Sequence, residues 1–226
     1  MNVDYSIIRS NRKTVAIHVR DGVVEVRAPY SMTRYDIDIF VSSKEKWIMS
    51  RLAELRGQTE RRDSFSLDYG DTVVYRGKKY PIKAKDGGRV GFDDVSFYMP
   101  PGLSPDYIKA VCVQIYRMLA KRDLTLKTFD FAKELGKIPV AVKINGAKTR
   151  WGSCSSKKNV NYSWFLIMAD DDVIDYVVVH ELAHMYEMNH SDLFWQIVES
   201  VLPDYRERKA RLKELQYRIS NENWGV

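Results

Sequence analysis

Cysteine is nearly absent from this chain, with two in 226 residues, Cys112 and Cys154. Two thiols make at most one bridge, which excludes a disulfide-stapled secreted scaffold. Histidine is almost as scarce, with four, so any close grouping of histidines carries weight. No apolar run approaches the roughly 20 residues that cross a bilayer; the longest, 164–169 and 176–179, are far shorter. The opening MNVDYSIIRSNRK lacks the apolar core of a secretory leader. The expectation is a cytoplasmic protein with free thiols and no membrane contact. Internal repeats, low-complexity stretches and zinc-finger spacings are all missing. Charge of one sign is missing too: 36 Lys and Arg face 30 Asp and Glu, a net +6. The two signs are interleaved, so the balance permits contact with nucleic acid without requiring it.

What is present suits a folded globular chain. Hydrophobic residues make up 45% and aromatic residues 12%, enough to build a core and to exclude general disorder. Residues 6–9, 14–19 and 23–28 are strand-like, and Asp21-Gly22 between the last two is a hairpin signal. Residues 32–56 read as a helix, with Ser31 as N-cap and Gly57 as its stop. Strands follow at 72–75, 79–83 and 95–99, punctuated by Arg76-Gly77 and Gly87-Gly88. A long helix spans 105–135, with Ile108, Val111, Ile115 and Leu119 at helical spacing and Gly136 at its end. Strands at 140–144 and 159–167 precede a helix over 172–189, and a last helical region from 191 to 219 is interrupted at Pro203. Strands early and helices late give an α+β fold. The boundary between a β-rich N-terminal part with one helix (1–100) and a C-terminal catalytic part (101–226) falls near residue 100. The two parts are also compatible with one integrated domain.

The chemistry lies at His180-Glu181-Leu182-Ala183-His184, an H-E-x-x-H within the helix. Four residues of α-helix turn about 400°, so the two imidazoles stand one turn apart and about 40° apart around the axis. Both can reach one cation. Glu181, displaced by about 100°, can sit beside the metal and take a proton from a metal-activated water. Ile174, Val178, Leu182 and Met185 form an apolar stripe roughly opposite the histidines. A catalytic zinc keeps three protein ligands and one open position. His190, six residues after His184, is the candidate third ligand, with Asn189 as a left-handed helix stop and Ser191 as the cap of the next helix. Glu187, Glu199 and Glu207 are the fallback ligands. The spacing matches that of metzincins, but Glu187 occupies the place of their glycine and no Met follows Met188, so a Met-turn is excluded.

Together, Arg150-Trp151-Gly152-Ser153-Cys154-Ser155, the strand after it and the HELAH helix make residues 149–195 resemble the YgjP-like metallopeptidase family. That family is similar to the SprT and WLM families, which include proteases that digest DNA–protein crosslinks. The resemblance implies a small zincin-like catalytic domain, a sheet backed by helices with the H-E-x-x-H helix beneath it. It implies Zn2+ as cofactor and a peptide or protein substrate. It carries the metal-ligand role onto His180, His184 and His190 and the base role onto Glu181. It also makes 159–164 the candidate edge strand that pairs with an extended substrate. Arg150 and Trp151 are expected to pack or to bind substrate, and Tyr162 and Tyr186 are the candidate oxyanion donors.

Two other readings compete. A peptide deformylase-like hydrolase takes a cysteine ligand from an upstream Gly-Cys pair, and Gly152-Ser153-Cys154 invites comparison. The extra serine breaks that pattern and leaves His190 idle. Alternatively, the basic balance and the crosslink-protease resemblance suggest a protease that acts on DNA-bound proteins. Composition says nothing of the oligomeric state.

Overall fold

The computed structural model describes residues 3–225. The chain divides after Ser64 into two compact units. The division lies well before residue 100, because the strands at 72–99 bury Val73, Ile82, Phe97 and Met99 in the same core as Ile108, Tyr116, Ile174 and Val178 of the later helices.

The first unit holds β1 (Ser6–Ser10), β2 (Ala16–Arg20), β3 (Val23–Pro29), α1 (Arg34–Ser43) and α2 (Glu45–Ser64). Its sheet has the order β1-β3-β2, with β1 parallel and β2 antiparallel to β3. Asp21 and Gly22 turn the β2–β3 hairpin with φ of 49° and 77°, the two positive values that a type I′ turn requires. Val24, Val26 and Ala28 alternate inward and meet Ile37, Val41 and Ile48 of the helices. The single helix expected over 32–56 is two. Thr33 rather than Ser31 caps the first, accepting from the Asp36 N–H at 3.1 Å. The break falls at Lys44, where the Ser43 hydroxyl bonds back to the Phe40 carbonyl at 2.7 Å and competes with the helical ladder. Nor does Gly57 stop the second helix. A helical glycine costs only about 1 kcal/mol, and the residues after it favour helix.

The second unit opens with β4 (Thr72–Tyr75), β5 (Lys78–Ala84), β6 (Gly91–Phe92) and β7 (Phe97–Met99), ordered β4-β5-β7-β6. The long α3 (Pro105–Leu135) follows and ends as expected at Gly136, whose φ of 78° lets its N–H reach the Ala132 and Lys133 carbonyls. Next come β8 (Ala141–Asn145), β9 (Gly152–Cys154), β10 (Asn159–Ser163), α4 (Asp171–Ala183), α5 (Asp192–Val201) and α6 (Tyr205–Ser220). The second sheet has the order β8-β10-β9, parallel between β8 and β10 and antiparallel between β10 and β9. The strand expected over 159–167 therefore stops at Ser163, and a 3-10 turn, Trp164–Met168, carries the fully apolar remainder into the core. The α+β expectation, sheets backed by helices with the HELAH segment on one of them, is met.

Salt bridges fix α4 at its start. Arg76 at the β4–β5 turn grips Asp171 through two 2.6 Å bonds, Lys127 of α3 bonds Asp175 at 2.5 Å, and Arg211 of α6 pairs with both Asp170 and Asp172. Acids in a first helical turn also suit the helix dipole. Gly77 is required here: its φ is +74°, and a Cβ would fall 1.7 Å from Oδ1 of Asp170.

Candidate metal centre

The expected apolar stripe of α4 is in the core: Ile174, Val178, Leu182 and Met185 are all buried. That packing turns His180 toward the cleft. The helix ends sooner than residue 189, with His184 as its C-cap. Asn189 does not take a left-handed conformation. Instead the chain winds through further turns, in which the Met185 and Tyr186 N–H groups bond the Leu182 and Ala183 carbonyls and Lys137 caps the Met185 carbonyl at 2.9 Å. This early end frees residues 185–190 to fold back and bring His190 over His180. Ser191 then caps α5 as expected, accepting from the Phe194 N–H.

The three imidazoles converge. Their ring centroids are 4.8–5.0 Å apart, and one ligand nitrogen from each lies within 4.8 Å of the others. Nε2 of His180 and Nε2 of His190 are 3.2 Å apart. Two nitrogens on one tetrahedral zinc ion stand about 3.3 Å apart, so this pair already has the spacing of co-ligands. Nδ1 of His184 lies 3.2 Å from the Glu187 carbonyl. A carbonyl only accepts, so the proton sits on Nδ1 and Nε2 is left free for a ligand. Phe194 lies beneath all three rings at 4.6–4.9 Å, and Trp195 stacks on His190.

The electrostatics agree. Burial drives the His180 pKa down to about 3, with the charges of His184, His190 and Lys209 adding to it, and burial lowers His184 as well. Both are therefore neutral at pH 7, the state a metal ligand needs. Glu181 is 5% exposed. Burial raises its carboxyl to about 8, partly offset by the charge of Arg150, and a dication at the triad would draw it down again. Nδ1 of His180 and Oε2 of Glu181 are both buried without a protein partner among the described residues. Buried polar atoms without partners are costly. Oε2 of Glu181 fits a site that a water completes, whereas Nδ1 of His180 is on the other side of the ring from the Nε2 that faces His190.

Among the described residues this triad is the one group of His, Cys, Asp or Glu side chains close enough to share a metal. Cys154 and the fallback glutamates are outside it. Glu199 is paired with Arg206, and burial raises the Cys154 thiol to about 11, so it stays protonated. Neither expected oxyanion donor faces the site: Tyr162 is fully buried against Thr128, and the Tyr186 hydroxyl bonds the Leu135 carbonyl.

Two neighbours escaped the sequence reading. Tyr176 is one helical turn before His180 and packs on it, ring centroids 5.8 Å apart, a proximity that the i, i+4 spacing already contained. Gly152 faces Glu181 so closely that a Cβ there would lie 2.6 Å from its Cγ and Oε1. The Gly of the Arg150–Ser155 segment was the only sign of this in the sequence. Nothing in the sequence placed it against the glutamate.

The YgjP-like metallopeptidase domain model matches residues 13–215. The chain belongs to the YgjP-like metallopeptidase family. It is accordingly a hydrolase of peptide bonds, and its family implies a catalytic metal and a peptide or protein substrate. Among solved structures this YgjP-like chain matches the metallopeptidase zymogen of Pyrococcus abyssi abylysin at 22% identity and a TM-score of 0.38. That match covers 44% of this chain and 98% of the other. It also matches the metallopeptidase zymogen of Methanocaldococcus jannaschii jannalysin at 18% identity and a TM-score of 0.34, covering 43% and 93%. No curated protein matches it. Among the described residues no helix is long and apolar enough to cross a membrane.

Proposed function

We propose that this protein is a zinc-dependent metallopeptidase in which His180, His184 and His190 hold the ion and Glu181 is the general base. The observation that carries the reading is the convergence of three imidazole nitrogens within 4.8 Å beside a buried glutamate. An all-imidazole set of three suits zinc with an open fourth position. When bound, zinc supplies a Lewis acid that acidifies water and polarises a carbonyl.

The chain's own residues do the rest. Phe194 and the Glu187 carbonyl hold the imidazoles in orientation. Glu181 accepts the proton of the attacking water through its unpartnered Oε2 and delivers it to the leaving amine. Its burial excludes bulk water from that exchange.

The substrate backbone pairs with β9. The strand expected for this, 159–164, lies mostly in β10, which has β8 on one side and β9 on the other. β9 is the sheet's outer strand on the side of Glu181, and backbone pairing there gives weak sequence preference. The free thiols of Cys112 and Cys154 suit a reducing compartment, the cytoplasm.

Glu181→Gln tests the base assignment. The variant keeps its zinc and loses peptide hydrolysis by at least about a hundredfold. Cleavage at the wild-type rate would remove Glu181 from the mechanism.

A further inference from the structure

A cavity of about 210 Å³ opens beside the triad, with His180 and Glu181 on one wall. It falls below the roughly 300–1,000 Å³ of small-molecule pockets and suits one amino-acid side chain. Trp151, Val177 and Leu212 give it apolar surface. Its remaining polar groups are Arg150 and Tyr176. The Arg150 side chain is exposed and makes no hydrogen bond or ion pair among the described residues. The ring of Tyr176 is held by stacking on Tyr205, 6.4 Å between centroids, while its hydroxyl makes no hydrogen bond among the described residues.

We propose that this cavity is the subsite for a substrate side chain next to the scissile bond, and that Arg150, assisted by the Tyr176 hydroxyl, makes it select an acidic residue. The inference rests on the peptidase reading above. A guanidinium offers a planar fork that matches a carboxylate, and a phenol adds a neutral donor. The methylenes of Asp or Glu lie on the apolar walls. Of the two charged groups lining the cavity, Glu181 is committed to the reacting water, which leaves Arg150 to set the preference. A lysine or arginine side chain in the same place meets the like charge of Arg150, while the one carboxylate of the cavity, Glu181, is engaged by the reacting water.

The test is digestion of a peptide mixture randomised at the positions flanking the cleaved bond. Products are read by mass spectrometry for zinc-loaded wild type, Arg150→Gln, Arg150→Glu and Tyr176→Phe, each checked for zinc content and melting temperature. Wild type is expected to favour Asp or Glu over Lys about tenfold at one fixed position. Arg150→Gln flattens that preference, Arg150→Glu reverses it, and Tyr176→Phe narrows it. Arg150 is on the surface, so its variants keep the fold. Metal-dependent cleavage with no acidic preference in wild type, or with the preference intact in Arg150→Glu, overturns the subsite and leaves the peptidase standing. A zinc-loaded wild type that cleaves nothing overturns both.

Discussion

Adding one methyl group at Gly152 tests whether Glu181 acts from where it stands. Gly152 pairs with Tyr162 in the β9–β10 ladder and has no positive φ, so its backbone accepts alanine. Only space forbids it. The new Cβ would lie 2.6 Å from Cγ and Oε1 of Glu181 and 2.8 Å from Cδ. Ordinary carbon contacts begin near 3.5 Å, so one partner must yield by about 0.8–0.9 Å. β9 is tied to β10, and the α4 backbone is locked in the core, so the glutamate side chain is what moves. Catalytic groups must be held within about 0.5 Å of productive geometry, and a displacement of about 1 Å costs on the order of a hundredfold in rate. Gly152→Ala should therefore lower kcat by about two orders of magnitude while zinc content stays at wild type. Overpacking should cost about 1–3 kcal/mol of stability. The assay is steady-state peptide hydrolysis alongside elemental analysis and thermal melting. Combining the change with Glu181→Asp, one methylene shorter, should show non-additive losses in a double-mutant cycle. Wild-type kcat in a folded, zinc-loaded Gly152→Ala would refute the placement of Glu181.

Three further outcomes follow from the same packing. Phe194, fully buried beneath the three imidazoles, should cost about 3–5 kcal/mol on truncation to alanine and weaken zinc binding by about 10–100-fold; chelator competition with unchanged zinc affinity would speak against its supporting role. Removing the metal with a chelator should lower the melting temperature, because an ion bound only by the native state at a thousand times its Kd contributes about 4 kcal/mol; identical melts with and without zinc would oppose a native-state site. Burial pushes the Asp171 carboxyl up, but the Arg76 hydrogen bond and the charges of Lys127 and Arg76 outweigh it and hold the pKa below its ordinary value. A depressed folded-state pKa stabilises above the unfolded value of about 4 and is lost as pH falls through the folded one. Asp171→Asn should therefore melt lower than wild type at pH 7, by no more than about 1 kcal/mol for a half-exposed pair, and the gap should close at an acid pH below the folded-state pKa. An equal gap at both pH values would show that the charge is not its source.

Much of the site was legible because its logic is local. His180, Glu181 and His184 fall within two turns of one helical segment. The helix end before His190 is not a short-range residue preference, since Asn189 takes no left-handed stop, whereas the capped restart at Ser191 that precedes α5 is one. The Asp21-Gly22 hairpin and the Gly136 stop were legible for the same reason. What the sequence hid depends on pairing across distance. A strand-like stretch at 159–167 cannot say that β10 lies between two strands, nor that its last, apolar residues leave the sheet as a 3-10 turn. The early end of α4 is invisible to periodicity, since Met185 still falls on the apolar stripe. Lys44 splits a helix at a position with no proline or glycine. The contact between Gly152 and Glu181 joins two elements that no sequence spacing relates. The unit boundary was misplaced because strands 72–99 were grouped with earlier strands by type, whereas their buried side chains belong with α3.

The most direct test of the central claim is zinc content by elemental analysis of wild type, His190→Ala and Cys154→Ser. One tightly bound zinc per chain in wild type and Cys154→Ser, with a clear loss in His190→Ala, is the result the three-histidine site predicts. Full zinc occupancy in His190→Ala would contradict it, and loss of zinc in Cys154→Ser would move the third ligand to the thiol.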